Sequence, residues 1–443
     1  MTGMGERLRR TLVSEEVGTP RIDVPRDLTA APGSLAGGIG GAEVSTPRGA
    51  CWVIDLELPT ESVHGNLPLG AGFGPDWTAL VDLSPHEALR ATVSREALFL
   101  DLETTGLDHG AGTQVFLAGL AWREGDTIHL RQILIREPSE EPALLHVLMS
   151  TVAGRLPLVT FNGASFDLTL LKSRCSFHRR HLGTVVDLKE RPHLDLLHLC
   201  RSLFRGGLPN TRLSTLERER LGFHREDDVP GHLVPERWYD FVNTGEPAAI
   251  QGVLDHNVHD VLSMITLTAL LGQEVRRCRV GDGEPRFAVN LGRLLLRRRR
   301  SADAYGVLQR WERNRNTLAL EGQRDGLRLL AIAARREREV DVQRETLERL
   351  IEIARTDSQA MVDLAILEEH RARDLTRALA WAEAAHALEQ DPETGKRLLR
   401  LRRRLKGAVR PQDESTALPQ TAPLLGPGRA RLGRVLDAAD RSP

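Results

Sequence analysis

Length, composition and charge limit the class of protein that this sequence can encode. The chain has 443 residues, of which 41% are hydrophobic and 4% aromatic, and this is enough for two or three domains with proper cores. The formal net charge is −1, so any attraction to nucleic acid must come from local patches. The four cysteines form no C-x-x-C pair, which argues against a typical zinc site and against a disulfide framework.

The first part of the chain lacks the pattern of a packed domain. It begins with the charged stretch "MTGMGERLRRTLVSEE", which has no apolar segment of signal-peptide length. No later run approaches the roughly 18 apolar residues of a membrane helix, so we expect a cytoplasmic protein with no membrane partner. Gly, Pro, Ser and Ala then dominate with few large apolar residues, and this composition predicts a disordered tail over residues 1–46.

The next 130 or so residues alternate between strand-like and helix-like patterns. After the strand-like "ACWVIDLELP", three more strand-like runs follow: "EALFLDLE", "TQVFLAGLAWR" and "TIHLRQILIRE". Short turns separate these three, and they predict an antiparallel meander. A helix around "EEPALLHVLMSTVAG", the strand "LPLVTFNG" and a helix over 165–177 come next. This order is typical of an α/β or α+β domain.

The predicted strand "EALFLDLE" carries two carboxylates, Asp101 and Glu103. Side chains alternate along a strand, so both point to the same side, about 6 to 7 Å apart along the chain. Close acids repel one another unless a cation lies between them, and Mg²⁺ and Mn²⁺ prefer such oxygen ligands. The alternative is a strand end that simply reaches solvent, and D-x-E alone does not decide between the two.

Further acids follow in similar contexts. In "TFNGASFDLTLL", Asn162 ends a strand and Asp167 begins a helix, where a helix-capping role is the alternative. In "VLDHNVHDVLSM", Asp260 and His256 are four residues apart and share one helix face, whereas His259 must point elsewhere.

These motifs resemble a known family. "FLDLETTGL", "FNGASFD" and "HNVHD" look like the three exonuclease motifs of the DEDD superfamily, which has a ribonuclease H-like fold. "SVHGNLPLG", "HLDLLHLCRSLF", "RLSTLERERLGF" and "DVPGHLVPERWYDFVNTGEPAAIQGVLDHNVHDVLSM" are similar to its YprB-like branch. The resemblance implies an α/β nuclease domain over residues 47–280, with a mixed sheet flanked by helices.

The resemblance also implies site residues and their chemistry. Two Mg²⁺ or Mn²⁺ ions would be held by the four acids, with Asp101 bridging them; one ion would activate water and the other would stabilise the leaving 3′ oxygen. The substrate would be the 3′ end of single-stranded DNA or RNA. The metal ligands would be Asp101, Glu103, Asp167 and Asp260, and the contacts to the terminal nucleotide would come from Thr104, Leu107, Asn162 and Phe166.

One position departs from the family pattern. DEDD enzymes usually have a tyrosine four residues before the last acid or a histidine five before it, whereas this chain has His256 at four and Asp255 at five. Helix geometry favours His256 as the group that orients or deprotonates the water, and a structural histidine is the alternative. Asp195, in "HLDLLHL", is expected to be an N-cap.

From Pro285 onward the sequence predicts helices only. Three helical hairpins with the approximate period of tetratricopeptide repeats cover residues 285–406, and residues 411–443 have no core pattern and predict a second disordered tail. The repeats offer a surface for a protein partner. Two basic runs, at 297–300 and 395–410, could contact phosphates or could be solvated helix faces.

Together these observations predict a 3′–5′ exonuclease domain followed by an all-α, tetratricopeptide-like domain. Two other functions stay open. The same fold could serve a catalytically weak nucleic-acid-binding or scaffold protein whose repeats recruit partners, or the same site could act as an endonuclease or a nucleotide hydrolase.

Overall fold

The computed structural model describes residues 38–106, 112–182, 188 and 191–408. Over these ranges the chain divides into two compact units, and the boundary in the sequence lies between Thr317 and Leu318. The first unit contains a mixed sheet, and the second is helical. None of the described helices is both long and apolar enough to cross a membrane.

Among the residues described for the first unit, seven strands form one sheet, in the order β1-β2-β7-β6-β5-β8-β9. The neighbours from β1 to β5 pair antiparallel, and β5, β8 and β9 pair parallel. The predicted meander is confirmed as β5, β6 and β7. Two short strands, β3 and β4, form a separate hairpin. The strands are β1 Ala42–Thr46, β2 Gly49–Pro59, β3 Val63–His64, β4 Leu67–Pro68, β5 Leu98–Thr104, β6 Val115–Glu124, β7 Thr127–Leu134, β8 Leu158–Thr160 and β9 His193–Asp195.

Within the described part of the first unit, ten α-helices surround or follow these strands. The longest, α8, has 33 residues and contacts β5 and β6 at the centre of the sheet. The helices are α1 Trp77–Val81, α2 Glu141–Val152, α3 Asp167–Phe177, α4 Arg179–Leu182, α5 Leu196–Leu203, α6 Leu213–Leu216, α7 Val234–Thr244, α8 Ala248–Val280, α9 Pro285–Arg297 and α10 Ser301–Glu312.

The edge strand β1 lies within the segment that the sequence predicts to be a disordered tail, so this part of the prediction is wrong. Residues 42–46 pair with β2, and the Trp52 indole Nε1 donates to the Gly40 carbonyl at 3.0 Å. Backbone pairing therefore orders a segment that has few large apolar side chains, which is why its composition is misleading. The remainder of the predicted N-terminal tail, residues 1–37, and all of 411–443 lie outside the described residues.

A buried ion pair joins α2, α3 and β6. The Glu141 carboxylate is fully buried, accepts from the Arg174 guanidinium and also accepts from the backbone N–H of Val115 at 3.0 Å. His178 Nε2 lies 2.7 Å from the same carboxylate. Because α3 begins at Asp167, this pair fixes the helix that carries one of the predicted site acids.

As far as residue 408, where the described residues end, the second unit consists of five α-helices packed in sequence order, each against the next. Small and large side chains alternate in its core, where Ala365, Ala378 and Ala382 pack with Leu398 and Leu401. The first predicted hairpin, α9 with α10, lies in the first unit, and the 280/285 boundary stays a prediction. The helices are α11 Leu320–Glu337, α12 Val340–Ile353, α13 Ser358–Leu367, α14 Leu375–Leu388 and α15 Pro392–Ala408.

The buried pair leads to a stability prediction. Arg174→Leu leaves the Glu141 carboxylate buried without its main counter-charge, so we expect the free energy of unfolding to fall by about 3 kcal/mol. Arg131→Leu is the matched control, because Arg131 also makes two bonds to one carboxylate, Asp55, at 2.7 and 2.9 Å, but this pair is partly exposed. The control should lose about 1 kcal/mol or less. Equal losses in denaturant titrations would contradict the expectation.

Candidate metal-dependent nuclease site

The carboxyl ends of the parallel strands β5, β8 and β9 meet at one edge of the first unit. β5 ends with Asp101 and Glu103, which lie on the same side of the strand as expected from the alternation of side chains. The turn after β8 leads to Asp167, the first residue of α3. β9 ends at Asp195. Adjacent parallel strands thus bring residues from three sequence segments together.

Asp195 holds the turn that precedes α3. Its carboxylate accepts from the backbone N–H groups of Asn162 and Ala164 at 3.0 and 3.1 Å, and it also caps α5 by accepting from Leu197 N at 3.0 Å. The N-cap prediction is confirmed. The additional bonds support Asn162, which has a positive φ of 71°. Asp195 therefore shapes the edge of the site with its carboxylate already occupied.

Helix α8 reaches the acids through an amide that the sequence analysis missed. Asn257 is fully buried, donates from Nδ2 to Asp101 Oδ2 at 2.8 Å and accepts on Oδ1 from Gln132 Nε2 at 2.9 Å. The helix comes so close that a Cβ added at Gly119 would lie 2.2 Å from the Asn257 Oδ1 atom. Asn257 lies inside the "HNVHD" motif, but its role depends on residues far away in sequence.

Two acids and a histidine lie close enough together to hold a cation. Ligand atoms of Glu103, His256 and Asp260 all lie within 4.8 Å of one another. Asp101 and Asp167 are neighbours of this cluster, since the charge of each contributes to the raised pKa of Glu103. The structure therefore brings the four sequence-predicted acids together from β5, α3 and α8.

Burial dominates the electrostatics of this cluster. It raises the pKa of Asp101 to about 7, with a further contribution from the Asp260 charge. Burial, followed by the Asp101 charge, also holds the pKa values of Glu103 and Asp167 well above their ordinary range. Carboxylates in this state favour a proton or a cation between them.

His256 and His259 behave as their helix positions predict. His256 Nδ1 donates to Asp228 Oδ1 at 2.7 Å, and its Nε2 lies 3.7 Å from Asp260 Oδ2. Burial lowers the pKa of His256, but the bond to Asp228 and the Asp260 charge outweigh this and raise it. The His259 ring instead packs 5.1 Å from the Phe223 ring, and burial lowers its pKa to about 4.

A second group that the sequence analysis missed is Arg225. Its side chain is 6% exposed, and its guanidinium donates to both Glu217 and Asp260. Arg225 lies between two stretches of the family resemblance, but no periodic pattern or charge run marks it. Its pairing with Asp260 depends on the chain folding back onto α8.

The predicted substrate contacts have varied surroundings. Thr104 is buried, and its hydroxyl donates to the Gly106 carbonyl at 2.7 Å. Phe166 immediately precedes α3. Leu107 lies outside the described residues.

Much of the second basic run is used inside its own unit. Arg397, Arg400 and Arg404 donate to the buried Glu369 carboxylate at 3.0, 2.6 and 2.7 Å. In the first run, Arg300 contacts Asp82 and Asp303. The sequence left two explanations for the basic runs, contact with phosphates or a solvated helix face. The ion pairs show a third role, because part of each run stabilises the unit in which it lies.

The raised pKa of Asp101 makes stability without cations depend on pH. The folded chain retains a proton that the unfolded chain loses between the ordinary pKa of 3.8 and about 7, so stability falls as pH rises through this window. In EDTA, Asp101→Asn should raise the free energy of unfolding, and the gain should be larger at pH 8 than at pH 5. An equal gain at both pH values in denaturant titrations would exclude this account.

Comparison with known proteins agrees with the geometry. A family model described as the RNase_H superfamily matches residues 98–272, from the first residue of β5 into α8. The uncharacterized protein YprB of Bacillus subtilis (strain 168) is 30% identical over 372 residues, which covers 80% of this chain and 86% of that protein. The matched span of the family model contains all four acids and His256. The chain therefore belongs to the YprB family within the ribonuclease H superfamily.

Proposed function

We propose that the chain is a metal-dependent nuclease that hydrolyses single-stranded nucleic acid from its 3′ end. The observation that carries the proposal is the convergence of four acids, three of them with raised pKa values, at the carboxyl ends of parallel strands. Buried acids that repel one another lower the stability of the folded state, and a protein that only binds nucleic acid or acts as a scaffold has no use for them. Membership of the ribonuclease H superfamily supports a nuclease-type hydrolase.

The donor set fits divalent cations with a preference for oxygen. Asp101, Glu103, Asp167 and Asp260 would hold two Mg²⁺ or Mn²⁺ ions. Ligand atoms of Glu103 and Asp260 lie within 4.8 Å of each other and would share one such ion, with a His256 ring nitrogen within the same distance of both. When bound, the ions supply activation of water and a counter-charge for the leaving oxygen.

His256 is proposed to take the proton from the attacking water. His256 Nδ1 lies 2.7 Å from Asp228 Oδ1, which only accepts, and 3.2 Å from Arg225 Nη1, which only donates. The shorter of these two contacts assigns the ring proton to Nδ1 and, in the neutral ring, leaves the Nε2 lone pair free. Nε2 faces Asp260 and so points into the acid cluster. A general base has to be held in this way, with one ring nitrogen fixed and the other available.

The terminal nucleotide is proposed to contact Thr104, Leu107, Asn162 and Phe166. Thr104 ends β5 immediately after Glu103, and Phe166 immediately precedes Asp167, so both adjoin the proposed metal ligands. The helices of the second unit are proposed to be tetratricopeptide-like repeats with a surface for a protein partner. Their support is the sequential packing of α11 to α15.

The first test removes a proposed metal ligand. Asp167→Asn keeps the size of the side chain and loses its charge, so hydrolysis should fall by more than the roughly 100-fold that loss of an outer partner of a metal ligand typically costs. Wild type and variant are compared on end-labelled single- and double-stranded DNA and RNA with Mn²⁺ or Mg²⁺. Products that shorten stepwise from the 3′ end support the proposal. Internal cuts would favour an endonuclease, and no cleavage of any substrate would favour the scaffold.

The second test concerns the proposed general base. His256→Ala should lower the rate by roughly 10² to 10⁴. His259→Phe is the control, because it keeps a ring against Phe223 on another helix face and should change the rate little. Wild-type rates for His256→Ala would remove the general-base role.

A further inference from the structure

Behind the acid cluster lies a buried ion pair that the proposed chemistry does not use. Glu217 begins a π-helical turn, Glu217–Leu221, directly after α6, and its side chain is 1% exposed. Arg225 Nε donates to Glu217 Oε2 at 2.8 Å, and its Nη2 donates to Glu217 Oε1 at 2.6 Å. Two buried charges with this two-bond geometry form a rigid unit.

The same helix that carries Asp260 also anchors Glu217. Ser263, one turn further along α8, donates from Oγ to Glu217 Oε1 at 2.6 Å. His64 Nε2 lies 2.7 Å from the Ser263 hydroxyl oxygen, and because that hydroxyl donates to Glu217, the imidazole is the donor in this second bond. Glu217 is thus fixed on two sides, by Arg225 and by α8.

Arg225 also contacts Asp228, His256 and Asp260, and of these Asp260 is a proposed metal ligand. Its Nη2 donates to Asp260 Oδ1 while also donating to Glu217. The other Asp260 oxygen, Oδ2, faces His256 Nε2 at 3.7 Å. Asp228 has the corresponding effect on His256, since it holds Nδ1 and leaves Nε2 directed at the cluster. In metal sites, partners of this kind orient the ligand atoms.

We propose that Arg225, held by Glu217, is a positioning residue that fixes Asp260 so that only its Oδ2 atom faces the cation. This inference rests on the proposed metal site. An arginine is suited to the task because its planar fork grips one carboxylate with two bonds and still has a hydrogen for a second. Lysine carries the same charge but cannot reproduce this geometry.

Arg225 could affect cation binding in two opposite ways, and these predict opposite changes in metal affinity when Arg225 is removed. If Arg225 instead competed with the cation for Asp260, removing it would strengthen metal binding. If it positions Asp260, removing it weakens metal binding. The sign of the change in affinity therefore distinguishes the two roles without any measurement of hydrolysis.

The experiment measures Mn²⁺ binding to the full chain by calorimetry. Glu217→Gln/Arg225→Met removes both buried charges together, so neither is left unpaired, and it should weaken Mn²⁺ binding about 10- to 100-fold. Arg225→Lys should also weaken it, because the charge alone does not orient Asp260. Arg220→Met is the matched control, since Arg220 lies in the same turn but pairs with Glu284 at 2.8 Å, and it should bind Mn²⁺ as wild type does.

The outcomes separate this inference from the proposed function. Asp260→Ala tests the metal site itself, and if wild type binds no Mn²⁺, or binds it no better than Asp260→Ala, both the site and the inference are wrong. If Asp260→Ala loses binding while the double variant binds as wild type or more tightly, only the inference is wrong. Melting in EDTA checks folding, and if the double variant does not fold, wild-type affinity in Arg225→Lys overturns the inference.

Discussion

The burial of several carboxylates close to one another is the constraint on which the site in the first unit depends. Burial raises the pKa values of Asp101, Glu103 and Asp167, because water cannot stabilise their charges there. The fold nevertheless collects these acids, by placing the ends of parallel strands side by side and laying a 33-residue helix against them. Without a cation, these buried charges lower the stability of the fold, and a bound cation would offset this loss. The architecture is therefore linked directly to the proposed chemistry.

Groups around the cluster hold the acids without removing their charge. Asn257 donates to Asp101, Arg225 donates to Asp260, and Asp195 fixes the turn before Asp167. The bonds to the two site acids each use one carboxylate oxygen, Oδ2 of Asp101 and Oδ1 of Asp260. The close approach of α8 to β6 at Gly119 permits the first of these contacts.

The second unit uses the same residue types to a different end. Its buried acids Glu368 and Glu369 are both met by arginines, Glu368 by Arg344 at 2.7 Å and Glu369 by three side chains of α15. Arginines thus supply the counter-charge of these two acids, whereas Asp101 in the first unit has a raised pKa and an uncharged donor, Asn257. The contrast explains why charge runs are poor guides to function. The sequence of the arginine-rich helix α15 suggests a phosphate-binding surface. In the structure, however, three of its guanidinium groups donate to one carboxylate, that of Glu369.

Local periodicity carried most of what the sequence determined by itself. Alternation along β5 placed Asp101 beside Glu103, and helical spacing placed His256 with Asp260 and turned His259 away. The meander and the helical second unit followed from the same patterns. The motif resemblance identified the family, and the comparisons confirm it.

Only the tertiary structure decided which groups hold these acids in place. Asn257 and Asp101 are 156 residues apart, and Arg225 and Asp260 are 35 apart and lie on different elements. The strand β1 likewise depends on its partner β2, because its own side chains bury little surface. Periodicity records which face a residue occupies, but a hydrogen bond between distant segments depends on how those faces meet, and no local pattern encodes that.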